Sequence, residues 1–330
     1  MSVRRVVAVL ATTVVCALAA VGTGAVAHAD ESGPELSVPA ADLEKSLTCH
    51  GDLTSGERSP VLLVPGSTLT PDVNYDWNYG PALAARGQAY CWVELPGNAL
   101  DDIQVAGEYV THAIRTMHDE AGRTIDVVGF SQGGMVPRWS LKYWPDTREA
   151  VRDVVGIDPS NHGTLDAHPV CAPGCAPAFW QQQTDSDFLT ALNDGGETFA
   201  GIDYSVVYTY TDEVVFPNLP PEPSSELRTG DGAISDIAVQ DICPVHVSEH
   251  LTMGSTDPVG YAVVVDALDH EGPADASRID RSVCAAALMP GVDPVALPVN
   301  EARYLGQVGT AIATHPLVNA EPELREYARG

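Results

Sequence analysis

Short apolar runs alternate with amphipathic stretches along most of the chain, and that alternation predicts the architecture. Pro60–Pro65 is a continuous apolar run closed by Pro65-Gly66, the pattern of a strand buried on both faces. Ala89–Leu95 reads as a second strand. Between Asp101 and Gly122 the apolar residues Ile103, Ala106, Val110, Ala113, Ile114 and Met117 recur at helical spacing. Asp101 and Asp102 are placed to cap that helix, and Gly122 to end it. Thr124–Phe130 predicts a strand and Gln132–Tyr143 a helix, with Pro137 tolerated because it lies near the start. Val151–Asp158 and Asp203–Thr211 are further β-rich runs, and Ile237–Ile242 reads as a strand giving way to a loop. Asp257-Pro258 opens a helix running to Leu268, and Asn300–Thr314 is a last helical candidate. Residues 30–58 are polar and irregular. Strand and helix in alternation predict a doubly wound α/β domain, its mostly parallel central sheet covered by helices on both faces.

The N-terminus departs from this pattern. Arg4 and Arg5 precede an apolar run from Val6 to Ala20, followed by Ala27-His28-Ala29. A short positive region, an apolar stretch and a small-x-small site together make a secretory signal peptide over residues 1–29. Residues 30–330 are then expected to form the single mature domain of an exported protein. No later stretch is long and apolar enough to span a bilayer.

Composition narrows the partners. Of 330 residues 45% are hydrophobic, enough to build a large core. Seventeen Lys and Arg face 45 Asp and Glu, a net charge of −28. Such a surface does not suit nucleic acid or anionic headgroups, and its self-repulsion favours a soluble monomer. Cysteine usage agrees with export. Cys16 falls in the signal, leaving Cys49, Cys91, Cys171, Cys175, Cys243 and Cys284. An even count outside the cell reads as three disulfides; of the fifteen possible pairings the simplest joins neighbours, Cys49–Cys91, Cys171–Cys175 and Cys243–Cys284. No Cys or His group has zinc-site spacing, so no metal is expected.

The sharpest chemical signal is Gly129-Phe130-Ser131-Gln132-Gly133. A serine held on a tight strand-to-helix turn needs small neighbours to fit the bend, and its hydroxyl then stands above the sheet. Here a predicted strand precedes the serine and a predicted helix follows it, so Ser131 is the candidate nucleophile. Such a serine needs a histidine base and an acid to orient it, in the chain order Ser, acid, His. Asp212 leaves the end of the Asp203–Thr211 run and is the leading acid. His246 and His250 both follow Ile237–Ile242, where catalytic loops belong, and periodicity does not separate them. His270 and His315 read as helix-end residues, and His162 precedes the acid. The amide of Gln132 and the loop Pro65–Thr68, with Ser67 on it, are placed to bind an oxyanion.

With these residues in view, the chain resembles the family of secreted lipases typified by Candida antarctica lipase B. The segments that carry the likeness are Leu62–Gly66, Ala89–Val93, Ser131–Gly134, Trp180–Gln182, Thr211–Val214 and Glu249-His250, with a weaker echo at Pro322–Arg329. The resemblance implies an α/β-hydrolase fold. It implies Ser131 as nucleophile, Asp212 as acid and His250 as base, preferred over His246 because the family's histidine follows an acidic residue. It places Ser67 and Gln132 in the oxyanion hole and Phe130, Ser160 and Val214 at the substrate pocket. Cys49–Cys91 and Cys243–Cys284 match two family disulfides, whereas Cys171–Cys175 has no obvious counterpart. Phe130 stands where the type enzyme has tryptophan, and Gly163–Phe179 occupies the place of the family's short lid.

The expected activity is hydrolysis of acylglycerols and other lipophilic esters through an acyl-enzyme, without a cofactor, at a dissolved substrate or a lipid–water interface. A polyester depolymerase or acyltransferase would use the same residues, and a secreted binding protein would keep the fold without turnover.

Overall fold

The computed structural model describes residues 32–329; the signal-peptide reading of residues 1–29 lies outside them. Seven strands form one sheet: β1 (Leu47–His50), β2 (Val61–Val64), β3 (Tyr90–Val93), β4 (Ile125–Phe130), β5 (Val151–Ile157), β6 (Asp203–Tyr208) and β7 (Ala233–Ala238). Their spatial order is β1-β3-β2-β4-β5-β6-β7, with every pairing parallel except the edge pair β1–β3. This is an α/β-hydrolase sheet, and the predicted class stands.

Alternating side chains of the buried strands feed two cores. Leu62, Val64, Ile125, Val127, Tyr204 and Val206 face one core, which the helices Ile103–Ala121 and Gln132–Tyr143 cover with Val110, Ile114, Met135 and Trp139. Val61, Leu63, Val128, Phe130, Val155 and Ile157 face the other, closed by Val259, Val263 and Val264 of the helix Pro258–Asp269. Burial on both faces explains why these strands read as unbroken apolar runs rather than alternating ones.

The predicted strand and helix bounds hold within a few residues; the helices Pro71–Tyr75, Tyr79–Ala85 and Asp187–Asn193 have no counterpart in the sequence reading, and three further segments depart from it. Residues 30–58 contain a helix, Ala40–Ser46, and the edge strand β1. Four residues paired to one neighbour carry too little pattern to announce themselves; the strand is fixed by its register on β3, where Cys49 stands opposite Cys91 and is bonded to it. The Ile237–Ile242 run is split: the strand ends at Ala238 and Val239–Ile242 form a short helical turn. The segment Gly163–Phe179 holds the helix Ala167–Cys171 and the start of the helix Pro177–Gln181.

Candidate active site

The site stands at the carboxyl ends of β4, β5 and β6. Ser131 follows β4 directly and takes φ 54°, ψ −126°, a conformation that costs a non-glycine residue about 1–3 kcal/mol. Its amide donates to the Ile157 carbonyl at 2.8 Å, and its own carbonyl accepts from Gly134 at 2.9 Å, which fixes the bend. The two flanking glycines are steric necessities. A Cβ on Gly129 would lie 2.0 Å from the Gly133 carbonyl oxygen, and one on Gly133 would lie 2.2 Å from that of Val64. The helix Gln132–Tyr143 starts at the next residue, so the Gln132 amide lies in a first turn whose N–H groups have no carbonyl partner within the helix.

His250 Nε2 lies 3.0 Å from Ser131 Oγ, and His250 Nδ1 lies 2.8 Å from Asp212 Oδ2. A carboxylate only accepts, so the proton of the neutral ring sits on Nδ1 and Nε2 is left to accept from the serine hydroxyl. Each member is held by its surroundings. Asp212 Oδ1 accepts from the amides of Val214 and Val215, both at 2.8 Å, which aims Oδ2 at the ring. Glu213 turns the other way and accepts from the His250 amide at 3.2 Å. Glu249 caps the turn His250–Met253 by accepting from Leu251 and Thr252. The hydroxyls of Thr209 and Thr211 both donate to the Ser248 carbonyl, at 3.1 and 2.5 Å, tying the acid loop to the histidine loop. The Phe130 ring lies 4.8 Å from the His250 ring, tilted 39°, and backs it from the sheet side.

The loop after β2 faces Ser131 across a small polar cluster. Ser67 Oγ donates to Gln132 Oε1 at 2.8 Å and accepts from Gln182 Nε2 at 3.2 Å. Asn74, fully buried, accepts from the Gly66 amide at 3.1 Å and donates to the Gly254 carbonyl at 3.4 Å, which anchors this loop to the turn carrying His250. Asn74 has no role in the sequence reading; nothing in its local pattern marks it. Gln182 stands in one of the segments carrying the family likeness, yet its contact with Ser67 spans 115 residues and is invisible to local pattern.

The three residues expected at the pocket fall in different places. Val214 is exposed at 41% and sits on the rim, its carbonyl accepting from Thr164 Oγ1 at 2.6 Å. Ser160 is buried and donates to Gln182 Oε1 at 2.9 Å. Phe130 is also buried, wedged between Gly66, Gly254 and His250, so it shapes the site through the base rather than as an open wall.

The remaining histidines point elsewhere. His246 Nε2 pairs with Asp257 Oδ2 at 2.6 Å, His270 Nδ1 lies 2.9 Å from the Asp266 carbonyl, and His315 Nε2 lies 3.0 Å from Asp101 Oδ1. His162 lies 3.5 Å from Glu197, and burial pushes its pKa down to about 4. The sequence reading also passed over Asp158, which follows β5. It is fully buried, has φ +41°, and its Oδ2 stands 3.9 Å from His250 Nδ1.

Three disulfides join Cys49 to Cys91, Cys171 to Cys175 and Cys243 to Cys284. The last ties the turn after β7, just ahead of the histidine loop, to Cys284. The second lies in the Gly163–Phe179 segment, which is also pinned by Cys175 and Val318 exchanging backbone bonds at 3.1 and 2.8 Å. Among the described residues no helix is long and apolar enough to cross a membrane.

No family model matches the chain. It is 33% identical over 305 residues to lipase B of Pseudozyma antarctica, spanning 90% of this chain and 87% of that protein. The crystal structure of Aspergillus fumigatus lipase B superposes with a TM-score of 0.83 at 30% identity, covering 90% of this chain and 74% of the other. The mature form of the Bacillus licheniformis lipase BlEst2 superposes with a TM-score of 0.51 at 15% identity, over 66% of this chain and 95% of the other, a likeness of fold alone.

Proposed function

The chain belongs to the lipase B-like family of serine ester hydrolases, and we propose that it is a secreted lipase acting on acylglycerols and other lipophilic esters, with Ser131 as nucleophile, His250 as base and Asp212 as the orienting acid. The observation that carries the assignment is the unbroken chain from Ser131 Oγ through His250 to Asp212, at 3.0 and 2.8 Å. His250 Nε2 takes the serine proton as Oγ attacks the ester carbonyl. The amides of Gln132 and Ser67 hold the negative charge that develops on the carbonyl oxygen, joined by the Ser67 hydroxyl once it turns from Gln132. The imidazolium, stabilised by Asp212, then gives its proton to the departing alcohol. Water enters along the same path, loses a proton to His250 and releases the acid.

Residues 1–29 are cleaved as a signal peptide in this reading, and residues 30–330 act as one mature domain outside the cell. The three disulfides support export, because such bonds persist in oxidising compartments. The apolar rim supports a lipophilic substrate: Val214, Phe216 and Leu165 are exposed beside the acid loop, the Leu165 amide donating to the Phe216 carbonyl at 2.8 Å.

The test is hydrolysis of p-nitrophenyl esters from acetate to palmitate by the mature protein beside Ser131→Ala. Turnover extending to the long chains, and lost in the variant, supports the lipase reading. Turnover confined to acetate and butyrate would overturn the lipid preference and leave a short-chain esterase.

A further inference from the structure

Two carboxyls converge on the Nδ1 edge of His250. Asp212 comes from the end of β6 and Asp158 from the end of β5, and their oxygens and the ring nitrogen all lie within 4.8 Å of one another. Asp158 Oδ1 has a plain structural use, accepting from the Thr209 amide at 2.9 Å. Its Oδ2 has none: it is buried without a hydrogen-bond partner among the described residues and lies 3.9 Å from His250 Nδ1. An asparagine would serve Thr209 equally well without placing an acidic oxygen there. A buried polar atom left unpaired is costly, as is the left-handed backbone that carries it.

We propose that Asp158 is a positioning residue for His250, a second acid on its Nδ1 side that holds the imidazole in register together with Asp212. Burial, and next the charge on Asp212, push the Asp158 carboxyl well above the usual carboxylate range; Asp257 and Glu213 add to the same effect. Burial and the neighbouring carboxylate thus favour the protonated form of Asp158. When Asp212 is removed, the nearest negative charge is gone, Asp158 gives up its proton more readily, and its Oδ2 needs about 1 Å of movement to accept from Nδ1–H. The proton leaves to solvent, so the site again holds one carboxylate and one neutral imidazole. The proposal rests on the assignment of Ser131 and His250 as nucleophile and base.

A double-mutant cycle on p-nitrophenyl butyrate tests it, with kcat and KM measured separately for the wild type, Asp158→Asn, Asp212→Ala and the double variant. Ser131→Ala supplies the inactive floor. The expected result is that Asp212→Ala stays about tenfold or more above that floor, and that Asp158→Asn lowers kcat about ten times more in the Asp212→Ala background than in the wild type. The change falls in kcat, with KM moving by less than about threefold, because neither acid touches the substrate. A purely structural Asp158 would cost the same factor in both backgrounds, and that equality would overturn the proposal. So would an Asp212→Ala variant as inactive as Ser131→Ala. Activity surviving in Ser131→Ala would instead bring down the assignment beneath it. Thermal melts verify folding, and Asp158→Ser, which keeps an acceptor for Thr209 without an acid, replaces Asp158→Asn where the latter does not fold.

Discussion

The Ser67 hydroxyl is shared between two glutamines, accepting from Gln182 and donating to Gln132, while the carbonyl of the same residue accepts from Thr68 Oγ1. Turned from Gln132 to the substrate oxygen, the Ser67 hydroxyl becomes a donor to the oxyanion; Ser67→Ala removes it and leaves the amides in place. A fall in kcat of roughly 10- to 100-fold is expected, smaller than the 100- to 1,000-fold typical of losing a whole donor, with little change in KM. A variant as active as the wild type would mean that the hydroxyl only orders the glutamines. At this scale the placement of the proposed triad was legible wherever strand order dictates it. Ser131 is announced by its glycines and Asp212 by the strand that runs into it. The choice of histidine was open to local pattern, since His246 and His250 follow the same apolar run. What separates them is three-dimensional: His246 is taken by Asp257, the residue that caps the helix Pro258–Asp269. Asp158 and Asn74 were illegible for the same reason, because their partners lie 51 and 180 residues away.

Helix packing gives glycines of opposite consequence. Gly133 meets the Val64 carbonyl at the base of the helix Gln132–Tyr143, and no side chain moves to make room for backbone. Gly133→Ala is expected to lose about 3 kcal/mol or more, read as a lower denaturation midpoint together with lost activity. Gly306, in the helix Leu297–Thr314, has nothing within 4 Å of where a Cβ would stand. Gly306→Ala is expected to raise stability by about 0.5–1 kcal/mol, through helix propensity and a more restricted unfolded chain, and to leave activity unchanged. A stabilised Gly133→Ala or a destabilised Gly306→Ala would contradict the packing. The long elements were legible because their period is sustained: nineteen residues from Ile103 to Ala121, with Asp102 capping and Gly122 closing in the left-handed conformation. The four-residue strand Leu47–His50 and the five-residue helices at Ala167 and Pro177 were not, since so few residues define no period and tertiary contacts hold them.

Across the molecule, buried acids set the response to pH. At the far end of the sheet Arg152 bridges Asp126 and Asp153, both fully buried, and one arginine serves two carboxyls. Burial, then the charge of Asp126, pushes Asp153 up to about 8, and burial pushes Asp236 up to about 7. The folded protein thus keeps protons that the unfolded chain releases near pH 4, so these groups favour folding below that range and lose their contribution as pH climbs towards 7 and 8. The acidic excess as a whole, 45 Asp and Glu against 17 Lys and Arg, acts in the same direction by repulsion. The melting temperature is expected to fall from pH 5 to pH 8.5, and Asp153→Asn to recover roughly 3 °C or more at pH 8.5 and little at pH 5. An equal shift at both values would remove Asp153 from the account. The central claim concerns how many reactive serines the folded molecule presents, and which. Mature protein treated with a p-nitrophenyl alkylphosphonate and weighed intact should gain one phosphonyl group, carried by the peptide containing Ser131, and Ser131→Ala should gain none. An adduct on any other residue, or an undiminished adduct in Ser131→Ala, would contradict the account.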